Sequence, residues 1–381
     1  MSRKCDWHNM HSNGSGELVV LVFQGGGALG AYQAGAFEAM DAAGMAPDWL
    51  AGISIGSINA AIIAGNRPQD RLNRLHGFWN RVSSGPLAMM PVLPGVPYRK
   101  FFNEVAAVGV MNTGVPGFFT PRFPPAAMMP EGGVAATSHY STAPLRDSLL
   151  EFVDFEYLNT EGPRLSIGAV EVATGNFRYF DSAKMKIGPE HVMASGALPP
   201  GFAAVTINGK QYWDGGLVSN TPLQYVLEDA EDRDLCIFQV DLFSARGAVP
   251  RNLSDVAHRE KDIRFSSRTR LTTDRFREKH RIGAAAARLR DKLPEALRDD
   301  PDLTFLTAVA PARAVTLVHL IQRQVASETQ SKDYEFSRAS VLDRWAVGVA
   351  DARLSLGHKD WQGRAKSRDH LQVFDLGRKD L

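Results

Sequence analysis

The chain has 381 residues, with 43 Lys and Arg against 42 Asp and Glu and a formal charge of +1. That balance excludes a strongly basic nucleic-acid binder and an acidic disordered tail, and the length suffices for a deep core. A hydrophobic content of 44% with 22% charged residues describes an ordered domain, not a fibrous or disordered chain. Cys5 and Cys236 stand far apart with no His cluster near either, so no metal, cofactor or redox pair is expected and a reducing, cytoplasmic compartment is the default.

Residues 1–16 read as a flexible tail, polar and without an apolar stretch of secretory-signal length. Leu18 to Phe23 is a continuous run of β-favouring apolar residues, the mark of a strand buried on both faces. Gln24 to Gly30 breaks it. From Ala31 to Ala43 the residues Tyr32, Ala36, Phe37 and Met40 recur at helical spacing, with Gly44 where a C-cap belongs. Trp49 to Ile53 is a second short strand and Ile55 to Ala64 a second helix. Strand, glycine turn, helix, strand, tight turn and helix begin a parallel α/β sheet. The longest apolar stretch, Leu50 to Gly65, is interrupted by Gly52, Ser54, Gly56, Ser57 and Asn59, so no transmembrane helix is expected and any membrane contact is peripheral.

Between Ser83 and Thr142 the sequence turns to Pro, Gly, Met and Phe without a clear period, and little regular structure is expected there. The segment reads either as a packed excursion over the core or as a wall of an apolar cleft. Pro144 to Leu150 is a helix, Arg164 to Val172 and Phe177 to Phe180 are strands, and Leu235 to Leu242 is another buried strand. Beyond Pro250 the composition becomes helical and Arg-rich, with 14 Lys and Arg against 9 Asp and Glu between residues 251 and 300. Ile282, Ala286, Leu289 and Leu293 fall on one helical face. The basic stripe reads first as a solvated face. A boundary is expected near Ala245 to Asn252, with a mostly helical extension over residues 251–381.

Two glycine turns carry the chemistry. Gly52-Ile53-Ser54-Ile55-Gly56 lies between a strand and a helix, the context that makes Gly-x-Ser-x-Gly a candidate nucleophile elbow. The glycines suit it because neighbours of a serine on so sharp a turn press close together. Gly25-Gly26-Gly27-Ala28-Leu29-Gly30 likewise follows a strand and opens a helix. Its spacing matches a dinucleotide fingerprint, but the acid that reading needs at the carboxyl end of the second strand is missing, since Asp48 stands before that strand. Bare amides at a helix start suit an oxyanion instead. Both turns leave neighbouring strands at their carboxyl ends, where open α/β sheets build their sites. A serine nucleophile needs a base, and none of the ten His stands in a motif. Asp214-Gly215-Gly216 offers an acid at a strand end followed by two glycines, a pattern that by itself reads first as an ordinary turn.

Taken in order, the glycine turn, Gly-x-Ser-x-Gly, the block Ala194 to Phe202, and Asp214-Gly215-Gly216 with Asn220 and Pro222 behind it resemble the patatin-like phospholipase family over about residues 17–225. The resemblance implies a three-layer α/β/α sandwich with a mostly parallel central sheet, forming a catalytic domain over residues 17–245. It implies Ser54 as nucleophile and Asp214 as base without His, Gly25, Gly26 and Gly27 as the oxyanion loop, and Gly30, Gly52, Gly56, Gly215 and Gly216 as motif glycines. Many members carry Arg or Lys near the end of the glycine loop, where this chain has Leu29. The implied activity is hydrolysis of lipid esters, phospholipid or related, with peripheral contact to a lipid surface and no nucleic-acid partner. Two alternatives remain in view: an α/β-hydrolase with a Ser-His-Asp triad using a late histidine such as His319 or His358, and a nucleotide-binding protein whose glycine loop holds phosphate.

Overall fold

The computed structural model describes residues 16–86, 95–230, 233–267, 269–308, 313–323, 328–365 and 371–375. The tail expected over residues 1–16 and the Met- and Pro-rich stretch at 87–94 lie almost wholly outside them. In chain order, β1 (Leu18–Phe23) leads through the glycine turn into α1 (Ala31–Ala42), and β2 (Trp49–Gly52) turns sharply into α2 (Ile55–Ala64). Two helices, α3 (Arg71–Val82) and α4 (Val96–Thr113), precede a small antiparallel pair, β3 (Thr120–Pro121) and β4 (Tyr140–Ser141). Then come α5 (Ala143–Phe152), α6 (Phe155–Thr160), β5 (Arg164–Glu171), β6 (Phe177–Asp181), α7 (Pro189–Ser195), β7 (Val205–Ile207) and β8 (Lys210–Asp214). The remainder comprises α8 (Leu223–Asp229), β9 (Leu235–Asp241), α9 (Leu253–Phe265), α10 (Thr269–Lys292), α11 (Pro301–Ala308), β10 (Val315–Ile321), α12 (Arg338–Leu356), α13 (Lys359–Gln362) and β11 (Leu371–Phe374).

The main sheet runs β11-β10-β9-β1-β2-β5-β8-β7, with β6 also on β5. From β11 to β5 every pairing is parallel, while β6, β8 and β7 are antiparallel to their neighbours. Alternate residues of β1 separate two apolar layers, as a period of two requires. Val19, Leu21 and Phe23 pack with Tyr32 and Phe37 of α1, Ile58 and Ile62 of α2 and Trp345 of α12. Val20 and Val22 pack with Leu223 and Leu227 of α8 and with Phe276 of α10. Helices therefore cover both faces, and the fold is a mostly parallel α/β sandwich with additional C-terminal helices. No helix among the described residues is long and apolar enough to cross a membrane.

Three sequence expectations need correction. First, the sheet crosses the boundary placed near residues 245–252, because β10 and β11 extend it beyond β9. The segment after residue 250 is thus part of the same sheet as well as helical. Second, the stretch read as largely irregular contains α4, 18 residues long. Its apolar residues lie on two faces, Phe102, Ala106 and Ala107 inward and Tyr98, Phe101 and Val108 outward, which erases the one-sided period. In the same stretch Phe118 and Phe119 are buried against Phe202. Third, the inward face of α10 is Thr269, Thr273, His280, Gly283 and Ala286, whereas Ile282 and Leu289 are exposed.

The α1–α12 contact explains why no apolar signature announces α12. The two helices touch backbone to backbone. A Cβ on Gly35 would stand 2.0 Å from the Trp345 carbonyl oxygen, and one on Gly348 would stand 2.1 Å from that of Tyr32. Tyr32 also donates its hydroxyl to Asp351 at 3.0 Å. Gly348→Val should therefore destabilise the protein by about 3 kcal/mol, as overpacking against rigid backbone does. Thermal unfolding checks this, and an unchanged Tm would contradict the close packing.

Candidate active site

The register of the sheet decides which side chains meet. Gly52, the last residue of β2, pairs with Ile167 on β5; two residues further along β5, Ala169 pairs with Asp214 on β8. Ser54, two residues past Gly52, is thereby carried to the level of Asp214 across β5. The Ser54 hydroxyl lies near enough to the Asp214 carboxyl to lower its affinity for a proton. A hydrogen bond to that carboxyl comes from the Gly216 amide, at 2.7 Å.

Asp214 is only 2% exposed. Burial pushes its carboxyl up to about 6 from the ordinary 3.8, against the opposing pull of the Ser54 hydroxyl and the Gly216 amide. A carboxyl so placed changes charge near neutrality, which an exposed aspartate does not.

Ser54 sits at φ 54° and ψ −125°, a conformation L-residues rarely adopt, in the N-cap position of α2 with its side chain free of any capping bond. Its neighbours hold it there. Its N–H donates to Ser195 Oγ at 2.9 Å, and its carbonyl accepts from Ser57 Oγ at 2.6 Å. Gly52 and Gly56 allow the turn to close: a Cβ on Gly52 would lie 2.4 Å from the Gly56 carbonyl oxygen, and one on Gly56 would lie 2.5 Å from that of Phe23. The α2 N-terminus directs its positive end toward the serine.

The block Ala194 to Phe202 joins the two residues. Ser195 Oγ, holding Ser54, donates in turn to the Gly168 carbonyl at 2.7 Å, while the Ala197 carbonyl accepts from the Asp214 amide at 3.0 Å. Gly215 fits against the same Gly168 carbonyl, which a Cβ would approach to 2.7 Å. No individual role for Ser195 is legible in the sequence, because a hydroxyl acting within the fold leaves no spacing to read.

The glycine loop lies alongside. An ideal Cβ on Gly25 would stand 3.1 Å from that of Ser54 and 2.4 Å from Asn220 Oδ1. Asn220 clasps this residue: its Nδ2 donates to the Gly25 carbonyl at 3.0 Å, and its carbonyl accepts from the Gly25 amide at 3.2 Å. Gly25 therefore has its N–H engaged, unlike the free donor the sequence led one to expect. Among the described residues the amides of Gly26 and Gly27 have no acceptor. Gly26 faces Leu242, and Gly30 lies against Ile55 of α2. Gly27 adopts φ +53°, and a Cβ there would stand 2.0 Å from the carbonyl oxygen of Asp333, which accepts from the Ala28 amide at 2.7 Å. Gln24 anchors the start of the loop. Its Oε1 accepts from the amides of Leu242 and Phe243, and its Nε2 donates to Thr221 Oγ1 at 3.0 Å. Neither Gln24 nor Asp333 was singled out from the sequence, and Asp333 contributes a backbone carbonyl that no residue type advertises.

The histidines considered for a triad lie elsewhere. His319 is hydrogen-bonded to Asp241 at 2.5 Å, and His358 caps α13. Asp48 accepts from the Val19 amide, at the opposite end of β1 from the glycine loop.

The serine at its strained strand-to-helix turn, the buried acid and the glycine loop thus lie together on an α/β sandwich. A family model described as patatin-like phospholipase matches residues 21–227, and another described as patatin phospholipase matches residues 263–368. The first spans just over half of the chain, and the chain belongs to the patatin-like phospholipase family. It is a lipid acyl hydrolase. Among solved structures it is similar to VipD from Legionella pneumophila, at 13% identity over 94% of this chain and 72% of that one, with a TM-score of 0.35. It is also similar to the type III effector protein ExoU, at 12% identity over 89% and 78% of the two chains, with a TM-score of 0.22. Likenesses this distant carry no argument about the site. No curated protein matches the chain.

Gly27→Val should break the seat of the Asp333 carbonyl and free the Ala28 amide. Hydrogen exchange at Ala28 is expected to accelerate together with a lower Tm, since a β-branched residue at positive φ is strained whatever its surroundings. Unchanged exchange at Ala28 would contradict the contact.

Proposed function

We propose that the protein hydrolyses lipid esters through a Ser54–Asp214 dyad, with the amides of Gly26 and Gly27 as the oxyanion hole. The observation carrying this reading is the buried Asp214 carboxyl beside the hydroxyl of a serine held at an elbow, a hydroxyl that lowers the carboxyl's affinity for a proton. The bare amides beside it supply the remaining requirement of acyl transfer.

In the first step the Asp214 carboxylate takes the Ser54 proton as Oγ attacks the ester carbonyl carbon. Negative charge gathers on the former carbonyl oxygen, where the Gly26 and Gly27 N–H groups donate to it and the α2 N-terminus adds positive potential. The tetrahedral intermediate collapses by breaking the bond to the leaving alcohol, which takes the proton back from Asp214. Water then attacks the acyl-enzyme with Asp214 again as base, and the fatty acid leaves with Ser54 restored. A carboxylate is a weak base at neutral pH, and burial raises its affinity for the proton it must accept. Removing a single oxyanion donor from such a site costs about 100- to 1000-fold in turnover.

Ser54→Ala and Asp214→Asn should each lower ester turnover at least about 1000-fold, as loss of a nucleophile or its base does. Steady-state hydrolysis of a chromogenic ester checks this, and full activity in either variant would remove the dyad.

The titration of Asp214 has two consequences of opposite use. As base it must be ionised, so kcat/KM should rise with pH through an apparent value of about 6. For stability the sign reverses: between about pH 4 and about pH 6 the folded protein keeps a proton that the unfolded chain has released, so ionisation of this buried group destabilises the fold as pH rises. Asp214→Asn should thus gain stability relative to wild type, by about 2 kcal/mol, on passing from pH 4 to pH 7. Denaturant unfolding at the two pH values reads that difference, and a variant that loses ground instead would mean that Asp214 is stabilised in its charged form.

A further inference from the structure

A cavity of about 1140 Å3 opens beside this centre, between the turn after Asp214, α8 and α10. Ser54 and Asp214 do not line it, but Gly216 and Asn220 do, and these hold the Asp214 carboxyl and Gly25. Leu198, Leu217, Leu223, Leu227, Phe265 and Phe276 supply its apolar walls, beside an almost equal polar share.

Two cations break that apolar lining. Arg275 and Lys279, both exposed, line the cavity mouth and stand one turn apart on one face of α10. Neither has an ion-pair partner among the described residues. The third cation at this end, Arg264, is paired with Glu260 at 2.6 Å, and Arg313 at the far end bonds the carbonyls of Leu227 and Ala230. Glu228 is the acid of the lining. Two uncommitted cations beside apolar walls form a site for an anion carried by an apolar body. A guanidinium fork and an ammonium together fit a phosphate.

We propose that this cavity is the head-group subsite of the enzyme, in which Arg275 and Lys279 hold the phosphodiester of a phospholipid. The assignment rests on the Ser54–Asp214 reading for its chemistry. It makes the enzyme selective for phospholipids of net negative charge, because one phosphodiester neutralises one cation and the second repels a cationic head group such as choline. The cations on α10 thereby stand where Leu29 leaves the glycine loop without one.

Short-chain phospholipids used below their micelle concentration test this without a charged surface to attract the protein. Wild type should favour phosphatidylglycerol over phosphatidylcholine by about tenfold in kcat/KM, mostly through KM, the size of one charge-assisted contact. Arg275→Ala/Lys279→Ala should erase the preference and leave hydrolysis of a neutral chromogenic ester unchanged. Arg281→Ala/Arg288→Ala removes the same charge from exposed positions of α10 outside the cavity and should keep the preference. A preference surviving in the first variant, or lost equally in the second, would overturn the subsite. Inorganic phosphate at the lipid's concentration should leave hydrolysis unaffected, since it lacks the apolar body; marked inhibition would make this a free-anion site and overturn the head-group assignment. Failure of the underlying dyad looks different, because Ser54→Ala would then still cleave the neutral ester.

Discussion

Ser54 and Asp214 meet because β5 lies between β2 and β8 and one short stretch, Ser195 to Ala197, holds both strand ends across it. Ser195 accepts from the Ser54 amide and donates to β5, and Ala197 accepts from the Asp214 amide. The serine backbone sits in a conformation that costs free energy, of order 1–3 kcal/mol for residues of this kind. Such strain persists only where surrounding contacts over-determine it, and here they come from β5, α2 and the 195–197 stretch together. The same closeness that strains Ser54 buries Asp214, so backbone geometry and the raised carboxyl have one cause.

The second support is the C-terminal part of the chain. The carbonyl of Asp333 receives the Ala28 amide and fills the space that Gly27 leaves open. Ion pairs to α9 tether that segment on both sides: Lys261 with the Asp333 carboxylate at 2.7 Å, and Lys332 with Asp262 at 2.6 Å. The second pair is deeply buried, with Lys332 also over the Phe243 ring. Buried ion pairs add little net stability but are costly to break from one side, which suits them to fixing a segment's position. Since α9 also lends the Phe265 carbonyl to Asn220, loop, acid turn and C-terminal segment form one connected frame.

Much of this was legible because close backbone approach demands glycine at fixed offsets. The pairs around Ser54 and after Asp214, and the loop at Gly25 to Gly30, show in the sequence as the contacts they permit. Strands β1, β2 and β9, buried on both faces, appear as unbroken apolar runs. The run Val315 to Ile321 of β10 has that signature too, yet the Arg-rich helices before it draw the whole segment toward a helical reading. Residues that act through a carbonyl or a lone hydroxyl, Asp333 and Ser195, have no pattern to read. Nor does α12, whose contact with α1 runs through Gly35 and Gly348, where the missing side chain is the point.

Mass-spectrometric mapping of a fluorophosphonate adduct decides whether Ser54 is the nucleophile, because the reagent marks whichever hydroxyl the fold activates. A single adduct is expected on the peptide bearing Ser54, absent when Asp214 is replaced by Asn. An adduct on another serine, such as Ser267 beside Asp241, or undiminished labelling of Ser54 in that variant, would contradict the dyad.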